Sequence, residues 1–267
     1  MPLKISDIAV PFRMLPGLRR LDPAEPMLTS LDGMTPLAQA RHQSASHAFL
    51  STPEFDRPSL EQQMRVVLTE HDLPQPPPEH FWPSLARTIT EDLVFLDPHS
   101  GRVEALLVCC PSHWRPEHVV GLHFTQIHQG VAGNERLMHA APHLLHILSG
   151  PQRWIRHVWS ICPDAVWDRH PDRLQRAPWP SAADSAWPDQ LTWRVEEQRF
   201  CALPELPLSM MSIRLQQTGL GTMLGSVADQ IHLMNLLETM GPAIRRYKGL
   251  DPLLALMKSQ PLTRAKA

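Results

Sequence analysis

Histidine is the residue type whose abundance first suggests chemistry in this chain, because 15 of the 267 residues are histidines. Imidazole nitrogens bind zinc, copper, nickel and haem iron. His113, His118, His123 and His128 recur every five residues, but five residues advance a helix by about 500°, so their side chains would point in different directions. On a strand they would alternate between faces. The spacing therefore predicts no shared metal site among these four residues.

A second group of histidines has a spacing that does share one helix face. His139, His143 and His146 stand at positions i, i+4 and i+7. Pro142 is expected to begin the helix that carries the last two, since proline favours the first helical turn, and His139 would then lie outside it. The chain has no HExxH motif and no CxxC pair. A zinc hydrolase is therefore not favoured.

Motifs for other kinds of catalysis are equally scarce. The chain has no GxSxG motif, no P-loop and no GxGxxG that follows a strand and opens a helix. The glycines of Thr218-Gly-Leu-Gly-Thr have the wrong spacing for a phosphate cradle, so this segment is predicted to be a turn.

Composition and charge exclude several classes of protein. A formal net charge of −2 gives no field that would attract nucleic acid or an anionic membrane. No run of about 18 apolar residues is present, and the amino terminus lacks the apolar segment of a secretory signal. Four cysteines in a chain of this length do not form a disulfide framework. We therefore predict a cytoplasmic protein that binds neither nucleic acid nor a membrane.

The elements that must position any site follow from hydrophobic periodicity. The patterns predict helices over residues 35–50, 59–73, 84–91, 142–148 and 225–246. They predict strands over residues 92–96, 103–110, 154–161, 191–200 and 208–215. This is the α+β class: an antiparallel sheet of about five strands with flanking amino-terminal helices and a carboxyl-terminal helix.

Three segments are expected from this pattern: 1–83 packing on a core of 84–224, and a closing helix and tail over 225–267. The helix at 225–246 either closes the core or lies at the interface of a homo-oligomer. The proline-rich loop at 162–189 is long enough to be a lid or a binding segment.

Charged residues in two of the predicted strands form the second candidate site. Arg194 and Glu196 alternate onto one face of their strand, and Arg214 lies on a neighbouring strand. Charges on an interior face destabilise a fold unless they are paired or used, which favours a function. The alternative is a cross-strand ion pair on a solvated face.

Six short motifs, in order along nearly the whole chain, resemble the haem-dependent oxidative N-demethylase family. The first is the segment 11–23, Pro-Phe-Arg followed by Gly-Leu-Arg-Arg-Leu-Asp-Pro. The others are Thr90-Glu-Asp-Leu-Val, Pro111-Ser-His-Trp, Ile127-His128, Trp193-Arg-Val-Glu-Glu-Gln and Ser212-Ile-Arg214. The resemblance implies a PAS-like antiparallel sheet that holds haem b through an axial histidine.

The resemblance also implies roles for individual residues. His128 occupies the position of the iron ligand, with His123 as the alternative, whereas without the resemblance His128 would be a half-buried loop histidine. Arg194 or Arg214 would pair with a haem propionate or orient an acid, and Glu196 would bind a cationic amine.

Other positions match or depart from the family pattern. Arg156 stands at another family-like arginine position, although a surface role is an equal alternative. Trp114 and Trp159 would wall the pocket, or else belong to the core. Val158 stands where an asparagine is common, and Glu197 stands where a basic residue is expected. These departures alter the lining of the pocket more than its core.

The resemblance implies an enzyme that uses O2 to remove a methyl group from a small amine. Electrons would come from a separate reductase, because the chain has neither a flavin fingerprint nor cysteine spacing for an iron–sulfur cluster. Two alternatives stay open: a non-catalytic PAS-like haem sensor or accessory subunit, and a structural protein that has lost haem.

Overall fold

A computed structural model describes residues 3–181 and 186–259 and shows one antiparallel sheet of seven strands. The strands are β1 (Arg19–Arg20), β2 (Phe49–Ser51), β3 (Asp92–Asp97), β4 (Arg102–Leu107), β5 (Trp154–Cys162), β6 (Thr192–Ala202) and β7 (Ser209–Gly219). Their order is β1-β5-β6-β7-β3-β4-β2. The α+β class is confirmed, and all five predicted strands are present.

The predicted count of five strands was too low, because two short edge strands come from the amino-terminal segment. β1 pairs with β5, and β2 pairs with β4. The residues of β2 were predicted as the end of a helix. That helix instead ends at Ser44, and Phe49 pairs with Leu107. The pairing of an edge strand is a tertiary interaction, so local periodicity does not reveal it.

The structure also contains helices before, between and after the strands of this sheet. They are α1 (Pro36–Ser44), α2 (Arg57–Glu70), α3 (Phe81–Thr88), α4 (Phe124–His128), α5 (Glu135–Leu148), α6 (Leu220–Met223), α7 (Val227–Thr239), α8 (Pro242–Tyr247) and α9 (Asp251–Ser259). α2 begins two residues before the predicted start at residue 59, because the Asp56 carboxylate accepts from the backbone N–H of Ser59 and caps the helix. No helix in the described ranges is long and apolar enough to cross a membrane.

Two helices at prolines differ from their predictions. α5 begins at Glu135 and contains Pro142 in its interior, because burial of Ala141 and Leu144 among its neighbours outweighs one missing backbone hydrogen bond. The predicted helix over 225–246 is two helices, since Met240 is extended and Pro242 begins α8. The predicted tail at 260–267 and residues 182–185 of the predicted loop lie outside the described residues.

The two faces of β5 and β6 have different surroundings. On the face that we call the site face, three cross-strand pairs project side by side: Arg156 with Gln198, Val158 with Glu196, and Ser160 with Arg194. The opposite face carries Trp159 and Val195, which pack against Leu233 and Leu236 of α7 and Leu253 of α9. The carboxyl-terminal helices therefore close the core, as one of the two sequence-based alternatives proposed.

Candidate functional site

Arg194 is a buried arginine at one end of the site face. Its Nε donates to Ser112 Oγ at 3.0 Å and its Nη2 to the Cys110 carbonyl at 3.1 Å. Its Nη1 is buried and has no hydrogen-bond partner among residues 3–181 and 186–259. Burial lowers the pKa of Arg194, and the charge of Glu196 opposes that effect. One donor of this guanidinium is thus available to a ligand.

Arg156 is a second arginine with an unused donor, at the other end of the site face. Its Nε is buried and also lacks a hydrogen-bond partner within the described part of the chain. Burial lowers the pKa of Arg156, and Glu196 again opposes the shift. A buried donor without a partner destabilises a fold by about 1–3 kcal/mol, so two on one face indicate a missing acceptor.

Glu196 lies between the two arginines but pairs directly with neither. Its Oε2 accepts from Gln198 Nε2 at 2.7 Å. Among the ion pairs of the described residues, none includes Glu196. The carboxylate is half-buried, so its second oxygen is open to a cation from outside the chain.

His128 approaches the site face from the last residue of α4. Its Nδ1 lies 2.8 Å from the carbonyl of Phe124, which can only accept, so Nδ1 carries the proton. Burial lowers the pKa of His128; the Phe124 carbonyl opposes this, and the charge of Arg156 lowers the pKa further. A pKa lowered from its usual value favours the neutral ring at pH 7. Nε2 has no hydrogen-bond partner among the described residues, so its lone pair can bind a metal.

His123, the alternative ligand, caps α4 instead. Its Nδ1 accepts from the backbone N–H of Thr125 at 3.1 Å. In a neutral ring the proton then lies on Nε2, which cannot bind iron in that tautomer. Gly101, at φ +69°, makes room for this ring, since a Cβ there would lie 2.3 Å from His123 Nε2. The geometry favours a structural role for His123.

Lys248 is a site residue that the sequence did not reveal. Its Nζ donates to the Trp159 carbonyl at 2.7 Å and lies 4.3 Å from the centre of the Trp159 ring. Burial lowers the pKa of Lys248 to about 8, with Glu196 opposing and Arg156 adding to the shift. Lys248 reaches β5 because the chain breaks between α7 and α8, which periodicity did not predict.

Hydrogen bonds hold the loop after β5 in place on both sides of Arg194. The backbone N–H of Arg169 donates to Pro111, and that of His113 donates to Arg169. Gln217, which lies opposite Arg194 on β7, donates to the Val166 carbonyl at 3.2 Å. His113 has φ +66°, a strained conformation that this bridge holds in place. The first part of the predicted loop is therefore a fixed cover over this end of the site face.

Comparison with known families gives this arrangement a context. The sequence model of proteins described as "Haem-dependent oxidative N-demethylase, alpha subunit-like" matches residues 49–256. The chain belongs to this family. No curated protein sequence matches the chain.

The residues on the site face fit the haem that gives the N-demethylase family its name. Haem needs an axial ligand, and His128 offers a neutral imidazole with a free Nε2. Haem also brings two carboxylates. Arg156 and Arg194 place two cations on the site face beside Glu196, each with a buried donor that is unused among the described residues, and the charge of Lys248 also acts on Glu196.

Three other residues assigned from the family resemblance lie elsewhere. Arg214 is on the opposite face, where its Nε donates to Glu91 Oε1 at 2.9 Å. Trp159 is also on that face and stacks on Trp193, with ring centres 5.1 Å apart. Trp114 is half-buried and packs against the larger core cluster. The site face thus brings together Arg156, Arg194 and Glu196 but neither Arg214 nor the Trp159 ring, and His128 on α4 is linked to it through the charge of Arg156.

Proposed function

We propose that this chain is the haem-binding subunit of an oxygen-using enzyme that removes a methyl group from a small amine. The observation that carries the proposal is the tautomer of His128, whose Nδ1 is taken by the Phe124 carbonyl and whose Nε2 has no hydrogen-bond partner among the described residues. The charge of Arg156 on the site face lowers the pKa of the same ring. Membership of the N-demethylase family supports haem as the group bound there. The proposed cofactor is haem b, with His128 as its axial ligand on a PAS-like sheet.

The arginines of the site face would hold the carboxylates of the haem. Arg156 Nε and Arg194 Nη1 are buried donors without partners among the described residues, and a carboxylate at each would satisfy them. Such charge-assisted hydrogen bonds contribute about 1.5–3 kcal/mol each. Lys248 adds a third positive charge that offsets the desolvation of the two carboxylates.

Glu196 is the proposed residue for binding the amine. Aliphatic amines are protonated at neutral pH, as lysine is, so a carboxylate that forms no direct ion pair among the described residues suits them. Gln198 fixes the carboxylate through Oε2, which leaves Oε1 to accept from the N–H groups of the substrate. The neighbouring Val158, directly across the strand pair, gives the N-methyl group an apolar neighbour.

Haem supplies the activation of O2 when it is bound, and the protein holds the reactants in place and excludes water. The given sequence has no flavin fingerprint and no iron–sulfur cysteine spacing. We therefore propose a separate reductase as a partner.

Absorption spectra of protein produced with a haem precursor test the proposal. The wild type should show a sharp Soret band that shifts on reduction under carbon monoxide. His128→Ala should lose that band, whereas His123→Ala, the matched control, should keep it. Amine-dependent O2 consumption with an added electron donor should then fall in Glu196→Gln. A wild type without a Soret band contradicts the haem assignment, and O2 consumption that ignores the amine favours a haem sensor.

A further inference from the structure

The exposed face of α5 carries three histidines that the proposed function does not use. His139, His143 and His146 are all exposed, and all lie within the helix. Four residues rotate a helix by about 400°, so the first two side chains differ by only about 40° in direction. The sequence-based expectation that His139 lies outside the helix was wrong, because α5 begins at Glu135.

The turn that His139 and His143 span lacks one backbone hydrogen bond of α5. Pro142 has no backbone N–H, so the carbonyl of Met138 loses its hydrogen bond within the helix. The buried residues of α5 are Ala141, Leu144, Leu145 and Leu148, all of which lie at or after that turn. Residues 135–140 have none, so the amino-terminal half of the helix is held mainly by its backbone. Any added connection across Pro142 would stabilise it.

The imidazoles of His139 and His143 are available to a ligand. Neither ring has a hydrogen bond or an ion pair within residues 3–181 and 186–259. Side chains at i and i+4 have Cβ atoms about 5–6 Å apart, and two histidines at this spacing on one helix face bind zinc in metalloproteases. Imidazole suits zinc, copper and nickel.

A second cluster of metal-binding residue types is already occupied by internal contacts. Glu117, His170 and Asp172 place one ligand atom each within 4.8 Å of one another. His170 Nε2 lies 3.0 Å from Glu117, and its Nδ1 accepts from the backbone N–H of Asp172. Asp172 is bound through both oxygens by Arg115. A metal there would have to break this network, whereas the pair on α5 has no such competitor among the described residues.

We propose that His139 and His143 chelate a divalent transition-metal ion, which fastens the amino-terminal half of α5 to its carboxyl-terminal half across Pro142. Water completes the coordination. His146 lies about 10.5 Å along the axis from His139, so one ion cannot bind both. Because Asn134, the residue before α5, donates to the His128 carbonyl at 2.8 Å, the ion would also steady the turn that holds His128.

Calorimetric titration of the full-length protein with Zn2+ tests the site. His143→Ala should weaken binding by about tenfold or more, since chelation is lost with the second ligand. His146→Ala keeps the chelating pair and should bind as the wild type does, as should His42→Ala, which removes an exposed histidine from α1. All three side chains are exposed, so the variants should fold alike. Equal affinity in His143→Ala, or loss in His146→Ala, overturns the assignment.

Hydrogen exchange of the backbone amides provides a second measurement. A metal ion that bound at the surface without stabilising α5 would not change the exchange rates. Added Zn2+ should slow the exchange of the backbone amides of residues 138–144 in the wild type. The same amides should exchange at an unchanged rate in His143→Ala. Exchange that does not respond to the ion in the wild type overturns the fastening role.

Discussion

The two faces of β5 and β6 both carry arginine and glutamate side chains that are buried or half-buried, but the charges on the two faces have different partners. On the opposite face, Glu197 lies 2.7 Å from Arg199 and 3.7 Å from Arg214, and His157 lies 3.5 Å from Glu197. The amino-terminal segment adds further partners, because Glu91 accepts from Arg214 and also from Thr29, whose Oγ1 lies 2.7 Å away. Every charged group in this network has an opposite charge nearby.

The site face has the same residue types without the direct pairs. Arg156 and Arg194 each retain a buried donor with neither a hydrogen bond nor an ion pair among the described residues, and Glu196 is held by the neutral amide of Gln198. Arg214 Nη2 and His157 Nε2 on the opposite face also lack a hydrogen bond, but they lie 2.9 and 3.5 Å from a carboxylate oxygen. Removing one member of a buried ion pair leaves the other as an uncompensated buried charge, which destabilises the fold. Removing a charge that has no ion-pair partner leaves no such charge behind. The change in unfolding free energy on substitution should therefore distinguish a face whose charges stabilise the fold from a face whose charges bind a ligand.

The largest effect is expected on the opposite face, from Arg214→Met. The Glu91 side chain is 0% exposed, so the substitution leaves a buried carboxylate whose remaining hydrogen-bond donor among the described residues is Thr29. We expect a loss of about 3 kcal/mol in the free energy of unfolding, at the lower end for a broken buried pair because Arg214 is partly exposed. Urea denaturation at pH 7 measures this loss. The same substitution in an exposed pair, Arg57→Met beside Glu61, is the control and should change stability by less than about 1 kcal/mol. Equal effects in both would mean that the network does not stabilise the fold.

The next effect is a pH dependence that comes from Glu197. Burial alone would raise the pKa of Glu197, but the His157 imidazole 3.5 Å away and the charges of Arg199 and Arg214 outweigh it and lower the pKa to about 2. A depressed pKa in the folded state stabilises the protein above the ordinary value of 4.5, and this contribution is lost as the pH falls from 4.5 towards 2. Between these values, the unfolding free energy should fall faster in the wild type than in Glu197→Gln, by up to about 1.4 kcal/mol per pH unit. If the unfolding free energies of the two proteins fell in parallel with pH, Glu197 would not belong to the stabilising network.

Alternation along β6 was sufficient to predict that Arg194 and Glu196 share a face. Which face Arg214 occupies depends on the register between β6 and β7, in which Arg214 pairs with Glu197. Register is set by side-chain packing across the whole sheet, and one residue of slip reverses every side chain. The sequence therefore predicted the charged strands correctly but could not distinguish the network from the site.

The same limit applies to the helices. Residues of α2 and α3 were predicted from their apolar spacing, and the five long strands from theirs. The interior position of Pro142, the break before α8 and the arrival of Lys248 at β5 all depend on contacts between distant segments. Lys248 has no local signal, because a lone lysine after a helix is usually a solvated side chain.

The smallest effect, and the one that sharpens the comparison most, is expected from Arg156→Met in protein prepared without haem. The side chain has no ion pair among the described residues, its Nε is unsatisfied, and burial lowers its pKa. Replacing such a group with an apolar side chain of similar length removes a desolvation penalty, so stability should stay within about 1 kcal/mol of the wild type or rise. Urea denaturation beside Arg214→Met provides the comparison, and haem titration of the same sample should show weaker binding despite the unchanged stability. A loss as large as that of Arg214→Met would mean that Arg156 supports the fold, and the site face would then be a second structural network.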